Sequence, residues 1–198
     1  MNSKKFALII VFAAVSLVLN PFLSGLAIPS FFPGLYFQFW EIPVVAALLI
    51  IGLNYAVLIA LLDTAVLIVF YPGPGFNAPL FNCLALLSTL LGVYMAHKLF
   101  VRTESKEKEI SKRKQIVLST SLGMVFREII MVPAVYLGLR FLSEIFLGIT
   151  YSDAVIISLL PVLALYDATV VLYTVPTAYL IEKIVKKNLI IDSVTKSI

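Results

Sequence analysis

The chain has 198 residues and a formal net charge of +4; 61% of its residues are hydrophobic and 13% are charged. Its mean hydropathy is +1.05. Soluble domains carry about 25% charged residues, so this composition excludes a soluble globular protein, a disordered chain and a coiled coil. We expect an all-α protein, a polytopic bundle of transmembrane helices that forms one domain over residues 1–198.

The basic residues indicate how the chain is oriented in the membrane. All of the fifteen Lys and Arg residues except Arg127 and Arg140 lie in three polar segments: the first five residues, residues 98–114, and the tail from Lys183 onward. The positive-inside rule places such segments in the cytoplasm. Because topology accounts for the charge, we expect no nucleic-acid partner.

The first apolar run, residues 6–23, is predicted to be a transmembrane helix. A second interpretation is a secretory signal that is cleaved near Gly25, since two lysines precede the run and small residues follow it. Further apolar runs follow without a secreted domain between them, and this favours a membrane helix.

The second apolar run, residues 42–71, is long enough for one tilted helix or for two short helices folded at residues 52–54. Two helices give an even number of spans and place both termini in the cytoplasm with the basic residues. We therefore predict six transmembrane helices, both termini cytoplasmic, and a cytoplasmic loop at residues 98–114. The predicted spans are residues 6–23, 42–53, 54–71, 79–101, 116–139 and 154–184.

An aromatic loop follows the first span on the non-cytoplasmic side. Its rings crowd the stretch from Phe31 to Trp40. One explanation is a belt of aromatic residues at the membrane interface, and the other is a lid whose rings stack on a ligand. The candidate ligand contacts from this loop are Tyr36, Phe37, Phe39 and Trp40. The second non-cytoplasmic loop, residues 71–78, adds Asn77.

Four ionisable residues fall inside the predicted spans: Asp63, Arg127, Glu128 and Asp167. Each lies about 15–20 Å of helical rise from the end of its span, near the membrane midplane. Charges at this depth need a partner, protein or water. They form an internal ion pair of Arg127 with Asp167 or Asp63, or the polar floor of a ligand pocket, to which Tyr166 also contributes, and the two arrangements can coexist. Both interpretations remain open.

The sequence offers no set of residues for catalysis. Cys83 is the only cysteine, His97 is the only histidine, and no HExxH, Walker A, GxSxG or GxGxxG pattern occurs. We therefore expect no catalytic residue, no metal site and no cofactor.

One motif resembles a known family. Residues 32–43, Phe-Pro-Gly-Leu-Tyr-Phe-Gln-Phe-Trp-Glu-Ile-Pro, are similar to the proline–glycine loop of riboflavin-type S components, the substrate-binding subunits of energy-coupling-factor (ECF) vitamin transporters. The Gly-rich loop, the basic loop and Pro161 fall in similar places. The chain departs from this branch at Leu163 and Tyr166, where its members usually carry asparagine and lysine. It also departs at Asp63, where they often carry lysine, and at Gln38, where they usually carry an acidic residue.

The resemblance implies a multi-pass protein of the plasma membrane that binds a vitamin-like small molecule, with riboflavin as the first candidate, and that is not an enzyme. It also implies partners within the lipid bilayer and beneath it, namely a transmembrane coupling subunit and two cytoplasmic ATPase subunits. Family members dock on the coupling subunit through small residues of the first helix. Here Ala7 and Ala14, seven residues apart, share one helix face.

Three rival functions use the same features. A stand-alone secondary transporter could use Asp63 or Asp167 as a proton relay. An intramembrane enzyme could act on a lipid with the buried arginine and carboxylates, although the chain lacks a nucleophile or metal set for this chemistry. A structural subunit of a membrane assembly would bind no small molecule at all.

Overall fold

The computed structural model describes residues 3–25, 27–31, 35–71, 77–102 and 108–189. Within these ranges the chain is helical and has no strand, with one isolated bridge between Pro29 and Tyr36. The all-α prediction is confirmed for this part of the chain. The helices are α1 Ser3–Leu19, α2 Pro21–Ser24, α3 Glu41–Ile51, α4 Leu53–Phe70, α5 Asn77–Arg102, α6 Lys108–Leu137, α7 Ser143–Leu147 and α8 Asp153–Leu189, with a π-helical turn at Gly138–Leu142 between α6 and α7.

Among the described residues, four stretches of helix are long and apolar enough to cross a membrane. They are Leu53–Phe70, Ala78–Phe100, Lys112–Ile145 and Asp153–Lys187. The other two predicted spans correspond to α1 and α3, which have 17 and 11 residues. At 1.5 Å per residue α3 is about 16 Å long, roughly half of the hydrocarbon thickness. The structure thus gives four candidate spans, and six spans stay a prediction.

Gly52 divides the long apolar run of residues 42–71 into two helices. Helix α3 ends at Ile51 and α4 begins at Leu53, and Gly52 between them has φ 105° and ψ 168°. A side chain would strain this backbone conformation, whereas glycine adopts it readily. Of the two arrangements that the sequence allowed, the structure has the folded pair.

Two predicted boundaries differ from the structure. The first span, predicted as residues 6–23, is divided at Asn20, whose side chain accepts a hydrogen bond from the Phe22 N–H at 3.0 Å and starts the short helix α2. The polar segment 98–114 is largely helical, because α5 continues to Arg102 and α6 begins at Lys108. Lysine and glutamate favour helix even where the chain is polar. Residues 103–107 lie outside the described ranges.

Helix α3 is the centre of the bundle. Nine of its eleven residues are buried, and it packs against α1, α4 and α8. A helix that is apolar on every side needs such a position. The longer helices expose large apolar side chains outward, for example Val117 on α6 at 64% and Ile129 at 67%. An apolar outer surface of this kind suits lipid and is rare on soluble monomers.

The basic residues gather at one end of the bundle. The Lys5 ammonium, near the start of α1, lies 5.9 Å from the centroid of the Tyr55 ring, near the start of α4. His97 at the end of α5 is hydrogen-bonded to Gln115 near the start of α6, at 2.8 Å. We call this the basic end, and the opposite end carries the aromatic loop.

Two glycines lie where helices approach each other closely, Gly92 between α5 and α6 and Gly123 between α6 and α8. A Cβ atom on Gly92 would lie 2.4 Å from the backbone carbonyl oxygen of Leu122. A Cβ atom on Gly123 would lie 3.2 Å from a side-chain methyl of Val171. Small residues commonly permit such packing between membrane helices.

These contacts predict different costs for two matched substitutions. Gly92→Ala should destabilise the protein by about 1–3 kcal/mol or more, because the clashing atom belongs to the backbone and the helices must separate. Gly123→Ala should cost less, because a side chain can move by a few tenths of an ångström. Thermal unfolding of both variants in detergent measures the order, and equal melting temperatures would contradict this packing.

Candidate functional site

A buried arginine is the centre of the candidate site. Arg127 on α6 is 2% exposed. Its Nη1 atom lies 2.7 Å from a carboxylate oxygen of Glu41 on α3, and its Nε atom lies 2.7 Å from a carboxylate oxygen of Asp167 on α8. Nη1 also donates to the Thr89 hydroxyl on α5 at 3.3 Å. The guanidinium therefore joins four helices, and we call these four residues the Arg127 cluster.

The cluster lies deep in the bundle. Arg127 is about 20 Å of helical rise from Lys114 at the basic end, and Asp167 is about 21 Å from Asp153 at the opposite end. These distances place it near the middle of a hydrocarbon layer about 30 Å thick. An unpaired charge at that depth costs at least a few kcal/mol, so the two carboxylates are what makes the guanidinium tolerable there.

Glu41 is the partner that the sequence did not identify. The predicted span began one residue later, so Glu41 was placed at the membrane surface. In the structure it is 1% exposed and occupies the first turn of the half-length helix α3. A carboxylate is favourable at a helix N-terminus because the helix dipole is positive there. The only signal in the sequence was an acidic residue directly before a wholly apolar helix.

The aromatic loop is hydrogen-bonded to α8 on both sides of Asp167. The Tyr166 hydroxyl donates to the carbonyl oxygen of Tyr36 at 2.5 Å. The backbone N–H of Gln38 donates to the Tyr173 hydroxyl at 2.8 Å, and the Gln38 side chain accepts from the Trp40 indole N–H at 2.5 Å. Irregular backbone at membrane depth is tolerated where protein satisfies it, as these tyrosines do.

Three rings form an aromatic face next to these hydrogen bonds. The Phe37 and Phe39 rings are stacked with centroids 5.8 Å apart, and the Tyr173 ring lies 6.0 Å and 5.4 Å from them. All three side chains are partly exposed. Trp40 is 1% exposed and belongs to the core, so it is a poor candidate for direct stacking on a ligand.

Asp63 lies in a separate polar contact. It is hydrogen-bonded to the Ser16 hydroxyl on α1, and Ser16 also lies 2.9 Å from the carbonyl oxygen of Trp40. Of the two partners considered for Arg127, the structure selects Asp167 and leaves Asp63 facing α1.

The remaining candidate residues are Glu128, Ala7, Ala14 and Asn77. Glu128 follows Arg127 on α6, and both of its carboxyl oxygens are buried without a hydrogen-bond partner among the described residues. Ala7 and Ala14 are exposed on α1. Asn77 begins α5, and its side chain lies outside the described part of the structure, as do residues 32–34 of the aromatic loop.

This part of the bundle combines charged, polar and aromatic groups. Within the described residues no group of three or more His, Cys, Asp or Glu side chains could hold a metal ion. In the Arg127 cluster one positive charge is paired with two carboxylates. Glu128 has acceptor oxygens without a partner among the described residues. The aromatic face offers a flat apolar contact. Pockets for small molecules combine these two kinds of surface.

Comparisons with known proteins add no relative. No family model, no curated protein sequence and no solved structure matches the chain.

The paired charges predict a large cost when only the cation is removed. Arg127→Met leaves Glu41 and Asp167 buried without a partner and should destabilise the protein by about 3–5 kcal/mol. The triple variant Arg127→Met, Glu41→Gln, Asp167→Asn removes all three formal charges and should recover most of that loss. Thermal unfolding in detergent compares the two, and a triple variant no more stable than Arg127→Met would contradict the pairing.

Proposed function

We propose that the chain is a membrane-embedded substrate-binding subunit, an S component of an ECF-type importer that captures a vitamin-like small molecule from the non-cytoplasmic side. The observation that carries the proposal is the aromatic loop, which enters the bundle and is bonded to α8 beside the buried Arg127 cluster. A loop that is held by a few hydrogen bonds beside polar groups at mid-bundle can serve as a lid. The motif of residues 32–43, which resembles the riboflavin-type branch, lies in this loop.

In the proposed topology the helices α1, α3, α4, α5, α6 and α8 are the six spans, of which α1 and α3 are shorter than the others, and both termini are cytoplasmic. The position of Lys5, Lys98 and Lys114 at the basic end supports this orientation. The aromatic loop then faces the outside. Helix α3 reaches the outer surface only through the loop that precedes it, since it is about 16 Å long.

The proposed ligand carries a flat ring and polar groups. Phe37, Phe39 and Tyr173 supply a stacking surface, which suits an aromatic ring. Glu128 and the Tyr166 hydroxyl supply hydrogen-bond partners that fix its orientation. Riboflavin is the first substrate to test.

The proposed partners are a transmembrane coupling subunit and two cytoplasmic ATPase subunits. The support for docking on α1 is its exposed apolar face, on which Ala7 and Ala14 lie among Ile10, Val11 and Val15. Small side chains in such a face let another helix approach closely.

The lid predicts an effect of one hydroxyl on ligand affinity. Tyr173→Phe removes the hydrogen bond to the Gln38 backbone while it keeps the ring, and it should weaken riboflavin binding about fivefold, the value of one hydrogen bond of about 1 kcal/mol. Binding can be followed by quenching of Trp40, the single tryptophan. Its indole bonds to Gln38 within the lid.

Tyr179→Phe is the matched control for this experiment. Tyr179 lies on the same helix, and its hydroxyl is 2.8 Å from that of Ser119, about 9 Å of helical rise nearer the basic end. Its affinity should equal that of the unsubstituted protein. If the unsubstituted protein, Tyr173→Phe and Tyr179→Phe bind riboflavin with equal affinity, the loop does not act as a lid. If none of them binds riboflavin, riboflavin is not the substrate.

The topology predicts which side of the membrane each loop faces. In a Cys83→Ser background, a membrane-impermeant thiol reagent should label Ser152→Cys on intact cells. Lys114→Cys should react only after the cells are lysed, because it lies at the basic end. Both positions are exposed in the structure. Labelling of Lys114→Cys on intact cells would reverse the orientation and the direction of capture.

A further inference from the structure

Asp63 has an unusual set of neighbours for a carboxyl group inside a helix bundle. It is 1% exposed, and its Oδ2 atom is hydrogen-bonded to the Ser16 hydroxyl. The same hydroxyl lies 2.9 Å from the carbonyl oxygen of Trp40, where the aromatic loop meets α3. One small polar contact thus connects α1, α4 and the end of the loop.

The contact between Ser16, Asp63 and Trp40 has too few donor hydrogens if Asp63 is ionised. The Ser16 hydroxyl has one hydrogen to donate, and the carbonyl of Trp40 can only accept. An ionised Asp63 can also only accept, so two acceptors would compete for one hydrogen. The other carboxyl oxygen of Asp63, Oδ1, is buried and has no hydrogen-bond partner among the described residues. An ionised group would therefore carry almost its whole charge without compensation.

The surrounding helices supply no cation to pair with Asp63. Helix α4 packs against α1, α2, α3 and α5, and no described cation lies within ion-pair distance of Asp63. The only acidic group on these helices, Glu41, is engaged with Arg127. The other titratable side chains described on them and on α4 are Lys5 on α1, Tyr55 on α4, and Cys83, Tyr94, His97 and Lys98 on α5.

Those groups do not neutralise a charge at Asp63. Lys5 lies over the Tyr55 ring at the basic end, eleven residues and about 16 Å of helical rise from Ser16. His97 and Lys98 occupy the same end of the bundle, in the last turns of α5. A buried carboxyl group that lacks a cation is far less costly when it is neutral.

We propose that Asp63 is a proton-binding site, occupied in this conformation by a proton that the acid donates to Ser16. Ser16 then donates its own hydrogen to the carbonyl of Trp40, and every hydrogen in the contact has one acceptor. Loss of the proton turns Asp63 into an acceptor that takes the Ser16 hydrogen, and the carbonyl of Trp40 loses that bond. The proton at Asp63 thus helps to hold the end of the aromatic loop against α1 and α4.

Infrared spectroscopy tests the proton directly and needs no substrate. At neutral pH the protein in detergent should show the carbonyl stretch of a protonated carboxylic acid. Asp63→Asn should lose this band while keeping the contact, because its amide N–H₂ can donate to Ser16. Glu128→Gln, the matched change at another buried carboxyl group, should leave the Asp63 band in place.

A spectrum that Asp63→Asn leaves unchanged, or a band that only Glu128→Gln removes, overturns the proposal. If Asp63→Asn yields too little folded protein, isotope labelling of the aspartate carboxyl carbons of the unsubstituted chain shows whether the band belongs to an aspartate, and Asp167, which is ion-paired with Arg127, contributes no such band. The band should then move, and a band that stays in place belongs to glutamate and overturns the assignment.

The pH dependence of stability gives a second readout with a defined sign. In water an aspartate is ionised between about pH 6 and about pH 9, so the unfolded chain lacks the proton that the folded protein holds. The folded state then binds more protons, and its stability falls as pH rises. The melting temperature should fall more steeply across this range for the unsubstituted protein than for Asp63→Asn. Equal slopes contradict a proton at Asp63.

Discussion

The burial of one guanidinium in the middle of an apolar bundle constrains the rest of the structure. Arg127 remains charged at any accessible pH, so it cannot avoid its cost by losing a proton. It requires carboxylates within hydrogen-bond distance, and it obtains them from Glu41 at 2.7 Å and from Asp167 at 2.7 Å. The positions of α3, α6 and α8 relative to one another follow from this requirement.

The same constraint explains why α3 begins inside the bundle. Glu41 has to reach Arg127 at mid-depth, so α3 has only 11 residues and the chain must enter the bundle as a loop. The backbone of that loop then needs partners, and the Tyr166 and Tyr173 hydroxyls provide two of them. The proposed binding site would combine these paired charges at mid-depth with a neighbouring loop that is held by neutral hydrogen bonds. That combination is the physical basis of the proposed capture function.

Much of the fold could be predicted from the sequence, because hydropathy and charge act along the chain. The apolar runs predicted the helices, and Gly52 allowed the break that the structure contains. The contacts between helices were harder, because they depend on how each helix is rotated against its neighbours. Trp40 was predicted as a lid residue but is 1% exposed, and Glu41 was missed because composition alone cannot show that a loop enters the bundle. The contact of Ser16 with Asp63 joins residues 47 positions apart, and no local pattern marks it.

Collisional quenching of Trp40 by acrylamide tests most directly whether the Arg127 cluster holds the loop in place. In the unsubstituted protein the indole should be strongly protected, since it is buried beside Gln38. In the triple variant without the three charges, the protein should stay folded but the quencher should reach Trp40 several times faster. Unchanged protection in that variant would show that the loop is held by other contacts and would contradict the central role given to Arg127.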